Sequence, residues 1–217
     1  MLAQIPFPVC LGVSILLSSV LFPQLPCLPT SVKHLWLSNT CVDPKDLRLL
    51  PQRLPSLETL VIRRLATTQL ELWSLRRQDL GLIGALTNLK TLGLTLPAGM
   101  TQLHWGLSRL VGLERLILDY EMESAEMEVR VEVDTDALFV QLTALGRHMT
   151  RLRGLWLSDN CLAMHSLWQH LLQKQMPHLC IRSCMNDWFW HTGFPIGSCL
   201  DVDNPIEWWK FTPWNIL

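Results

Sequence analysis

The chain carries almost no net charge. Its 18 lysines and arginines stand against 19 aspartates and glutamates, a formal balance of −1 over 217 residues. Phosphate binding draws on a clustered positive field, so nucleic acid is excluded as the main partner. No asparagine lies in an N-x-S/T sequon. The seven cysteines, Cys10, Cys27, Cys41, Cys161, Cys180, Cys184 and Cys199, are odd in number and form no compact flanking cluster. That usage points to a reducing compartment, the cytoplasm or nucleus. The apolar run LGVSILLSSVLF, residues 11–22, is too short to cross a bilayer as a helix, and no membrane partner is expected. It has the length of a signal core, yet no Lys or Arg precedes it, Pro6 and Pro8 stand in the leading segment, and no A-x-A site follows. Residues 1–30 therefore read as a degenerate first structural unit. A cleaved signal, and with it a secreted or membrane-associated protein, is the alternative.

Reaction chemistry is equally sparse. The sequence has no G-x-S-x-G, no phosphate-cradling glycine loop and no H-E-x-x-H. Cys161, Cys180, Cys184, Cys199, His165, His170, His178 and His191 crowd the last third. None shows the C-x2-C or H-x3-H spacing that usually announces four converging zinc ligands. The expectation is no enzyme, no metal and no cofactor.

What the chain does have is leucine, and the leucines are patterned. Apolar residues at positions 1, 4 and 6 recur in six segments. They are Val32/Leu35/Leu37, Leu57/Leu60/Ile62, Leu89/Leu92/Leu94, Leu113/Leu116/Leu118, Leu152/Leu155/Leu157 and Met176/Leu179/Ile181. Positions 4 and 6, two apart, share one face of a short strand. Between these segments the spacing turns helical. Residues 43–54, 70–86, 136–149 and 163–176 each place leucines near one side, with Asp43 as an N-cap and Pro44 at the first helical position. Strand and helix in alternation predict parallel strands on one side and helices on the other. Recurrence at intervals of 24 to 39 residues is the mark of a solenoid.

On these residues the chain resembles leucine-rich repeat proteins of the intracellular, helix-bearing kind. The motif L-x-x-L-x-L-x-x-N-x-L is complete at Leu152, Leu155, Leu157, Asn160 and Leu162 and partial in the other five segments. The resemblance covers about residues 30–185 and implies an α/β solenoid with a curved parallel sheet on the concave side and helices on the convex side. Irregular repeat lengths and segments such as LFPQLPCLP resemble the repeat halves of fungal F-box proteins, although no F-box-like helical module precedes the array. By that resemblance the chain is a non-catalytic protein–protein interaction scaffold that recognises substrates for an SCF-type ubiquitin ligase. A truncated fragment without function of its own is a further alternative.

The organisation expected is a first unit over 1–30, an array of about six repeats over 31–186 and a tryptophan-rich tail or cap over 187–217. Within the array, residues 119–136 form an insertion with eight acidic residues against Arg130. It reads either as a solvated loop or as an arm that docks a basic partner. Residues alternating with the core leucines face outward from the strands. Trp and Arg dominate interface energies most often, so Trp36, Arg63, Arg115, Trp156 and Arg182, with Asp119, are the expected contacts for another protein.

Overall fold

Among the described residues, seven strands lie side by side in one sheet, all parallel, and their order across the sheet is their order along the chain. They are β1 (Val9–Ser14), β2 (Val32–Ser38), β3 (Thr59–Arg63), β4 (Thr91–Leu96), β5 (Arg115–Tyr120), β6 (Gly154–Ser158) and β7 (Cys180–Cys184). Among the described residues four α-helices connect them: α1 (Pro44–Arg53), α2 (Arg77–Ile83), α3 (Thr135–His148) and α4 (Ser166–Gln175). A 3-10 helix, Trp105–Arg109, bridges β4 and β5. This computed structural model describes residues 9–14, 28–38, 44–63, 75–97, 100, 102–120, 135–158 and 166–184. The tail from 187 onward, Asn160 and residues 121–134 of the acidic insertion lie outside the described residues.

The leucine spacing acts through the sheet register. Leu35 pairs with Leu60, Leu60 with Leu92, Leu92 with Leu116 and Leu116 with Leu155, one row of side chains running across five strands. A second row joins Leu37, Ile62, Leu94, Leu118 and Leu157. Both rows are buried against the helix leucines, Leu47, Leu50, Leu80, Leu138, Leu142 and Leu172 among them, in one continuous core. Successive helical elements pack on one another, α1 on α2, α2 on the 3-10 helix, the 3-10 helix on α3 and α3 on α4. The last segment departs from the expected alignment. Ile181, not Leu179, stands opposite Leu155, and Leu179 is buried in the turn before β7.

The structure corrects the leucine-rich repeat assignment. A solenoid of that family needs one recurring unit and a sheet face left free for a partner. Here the connections differ in kind: helices of 10, 7, 14 and 10 residues, and a five-residue 3-10 helix in place of one of them. More decisively, the second face of the sheet is also buried through its centre. All six residues of β4 are buried, and so are Val61, Ile117, Asp119 and Trp156 on the strands around it. Burial on both faces is the usual condition of a parallel sheet inside an α/β domain flanked by helices. The molecule is a single α/β domain rather than a repeat solenoid. The resemblance to leucine-rich repeat and fungal F-box proteins is withdrawn. With it go the interaction scaffold built on a concave repeat surface and the role in ubiquitin-ligase substrate recognition.

Candidate functional site

The face opposite the leucine rows is built from three cross-strand rows. Nearest the strand starts, His34, Thr59, Thr91, Arg115, Gly154 and Cys180 are paired in turn. The middle row joins Trp36, Val61, Gly93, Ile117, Trp156 and Arg182. Beyond it Ser38 pairs with Arg63 and Thr95 with Asp119. In strand register, Trp36, Trp156 and Arg182 fall in a single cross-strand row, Arg63 and Asp119 beyond it and Arg115 before it. Trp36, Arg63 and Arg182 belong to strands, but their side chains lie outside the described residues. Of the other three, Arg115 is half-buried, while Asp119 and Trp156 are only 8% and 6% exposed. The Trp156 ring lies back over Gly154, where any Cβ would collide with it. That tryptophan fills space on its own strand.

Polar groups on this face are held close to it. Nδ1 of His34 lies 2.9 Å from the Thr59 hydroxyl. Burial pushes the His34 imidazole below its ordinary range, against the opposing pull of Glu58. Burial also lowers Arg115, with Glu114 acting the other way and Arg153 adding to the shift. The Thr95 hydroxyl is buried and has no hydrogen-bond partner among the described residues.

Along the strand starts runs a row of alternating charge: Lys33, Glu58, Lys90, Glu114 and Arg153. Backbone bonds link the row, each amide donating to the preceding member's carbonyl at 2.7–2.8 Å. Glu58 is clasped on both sides, its Oε1 at 2.8 Å from Lys33 Nζ and its Oε2 at 2.6 Å from Lys90 Nζ. The two ammonium groups hold the Glu58 carboxyl down at about 2. Charges matched in this way neutralise one another, and the row reads as a device that pins strand register.

The helical side offers a different geometry, one that the sequence reading missed. His104 caps the 3-10 helix, its Nδ1 accepting from the Gly106 amide at 2.8 Å. The ring fits against two glycines. A Cβ on Gly81 would stand 2.7 Å from the ring, and one on Gly106 2.8 Å. Leu103 and Leu107 anchor the turn in the core, and the Leu103 amide donates to Gln141 Oε1 of α3 at 2.5 Å. So held, Trp105 projects outward and is 53% exposed, with its ring edge-to-face on His148 at 4.9 Å and 83°. Val140 on the same α3 helix is 64% exposed. Arg109 ends the 3-10 helix and Arg147 stands in the last turn of α3, both in solvent. The signal in the sequence is HWG: a tryptophan between a capping residue and a glycine, in an interval without an amphipathic helix.

Among the described residues, no three His, Cys, Asp or Glu side chains gather as metal ligands would. No described helix is long and apolar enough to cross a membrane. Cys161, Cys199 and His191 lie outside the described residues, as do the side chains of Cys184 and His170. No family model and no curated protein matches the chain.

Proposed function

We propose that this α/β domain binds another protein without catalysing a reaction, and that it does so on its helical side, around Trp105. The observation that carries the reading is an indole left half in solvent on a turn that is otherwise fully tied down. Burying a tryptophan on association contributes more than burying most other side chains, and a rigid anchor loses little conformational entropy when it binds. The sheet face supports the reading by contrast, because its central side chains are already covered. This proposal uses neither a repeat surface nor a ligase assembly. The non-catalytic part rests on the sequence, which carries no recognised nucleophile, phosphate-loop or metal-protease motif. We place the protein in the cytoplasm or nucleus, supported by the uneven number of cysteines.

A photo-crosslinking residue at position 105, with the same residue at Leu49 on α1 as the control, tests the proposal in cells. The expected result is a discrete adduct from position 105 that is absent from position 49. No adduct, or the same adducts from both positions, rejects it.

A further inference from the structure

The surroundings of Trp105 specify what such a partner would bring. Arg109 and Arg147, at the ends of the two elements that frame the indole, are exposed, and so is Arg151 just beyond α3. None of the three has an ion-pair partner among the described residues. Glu114, in the strand-start row, already acts on Arg115. The contrast with that row decides the interpretation. Where Lys33 and Lys90 have a carboxylate between them, the fold has matched charge with charge. Around Trp105 the exposed guanidinium groups stand beside an apolar anchor with no carboxylate paired to them among the described residues. Guanidinium groups bind carboxylates through two parallel hydrogen bonds, and a cationic rim steers an acidic ligand toward the anchor.

Resting on the binding role proposed above, we infer that the helical side around Trp105 takes an acidic segment of another protein, one carrying an aromatic or branched apolar side chain flanked by carboxylates. The apolar side chain packs on Trp105, and the carboxylates meet Arg109, Arg147 and Arg151. Complementary charge also gives the complex a salt dependence, because the exposed pairs are screened as the Debye length falls from about 10 Å at 0.1 M to about 3 Å at 1 M.

Four fluorescein-labelled peptides test this against the full chain by anisotropy. They carry a central phenylalanine flanked by aspartates, by serines or by lysines, and a central alanine flanked by aspartates. The aspartate–phenylalanine peptide is expected to bind at least about tenfold more tightly than the other three, and to weaken as salt rises. Trp105→Ala and Arg147→Glu are each expected to weaken it about tenfold or more while lowering the melting temperature by only about 2–4 °C, since Trp105 gives up one edge contact with His148 and Arg147 one exposed helix-end charge. Equal binding of the serine or lysine peptide overturns the acidic assignment, as does binding that neither variant alters, or no binding of any peptide. Crosslinking from position 105 separates this failure from failure of the broader proposal. A discrete adduct there with no preference for aspartate peptides leaves the site standing and removes only the partner's chemistry.

Discussion

Replacing Glu58 by Gln removes one charge from between two others, and the structure sets the size of the effect. Glu58 meets Lys33 at 2.8 Å and Lys90 at 2.6 Å, and these lysines are 41% and 53% exposed. With the carboxyl held at about 2 against an ordinary 4.5, full conversion of the shift would give about 3.4 kcal/mol. Both ammonium groups stand in solvent, however, and exposed pairs contribute about 0.5 kcal/mol each. We therefore expect Glu58→Gln to cost about 1 kcal/mol near pH 7, a fall of about 2–4 °C in melting temperature for a domain of this size. The sign with pH follows from the depressed value. The stabilisation is fully present above the unfolded value near 4.5 and is lost as pH falls from there toward 2. Thermal unfolding of wild type and variant at pH 7 and pH 3, each at low and high salt, checks the prediction. The gap should narrow at pH 3 and in 1 M salt. A gap that stays the same at pH 3, or resists salt, would refute the claim that paired charge stabilises this edge of the sheet.

Other perturbations probe the core and the sheet face. Leu92 is fully buried between Leu60 and Leu116 in the central row. Leu92→Ala should lower stability by about 2–5 kcal/mol in urea unfolding. Gly146→Ala forces a methyl into Met176 Sδ, with an expected loss of about 1–3 kcal/mol that Met176→Ala added to it should partly relieve. Because burial lowers His34, the folded chain takes up a proton there less readily than the unfolded chain, whose imidazole titrates near 6.5. Stability should therefore fall between pH 7 and pH 5, and His34→Gln should flatten that fall; an unchanged slope would exclude His34 as its source.

Much of the local structure could be read from side-chain chemistry alone. Pro44 opens α1 as its fixed φ and missing amide hydrogen suggest, and residues 136–149 form α3 almost to the residue. The 1-4-6 spacing places Leu35, Leu60, Leu92, Leu116 and Leu155 in one row because alternation along a strand permits only one inward face. Where leucine spacing was weak, the reading slipped. Met176, Leu179 and Ile181 are all buried, so apolarity alone could not choose which of the last two would stand opposite Leu155. Of the helix expected over 70–86, residues 70–74 lie outside the described residues; the rest holds the short α2, which ends where Gly84 and Gly81 serve the close approach of the His104 turn.

The pattern of leucines, acting through local backbone geometry, determined that strands and helices alternate and which side of each strand enters the core. Whether the opposite side would be open or covered was decided only by the tertiary structure. A threonine or tryptophan next to a core leucine looks the same in sequence whether solvent or protein lies above it. Burial depends on neighbours brought together from distant parts of the chain, and so does the exposure of Trp105, which follows from His104, Gly81, Gln141 and His148 closing around its turn and leaving the indole outside.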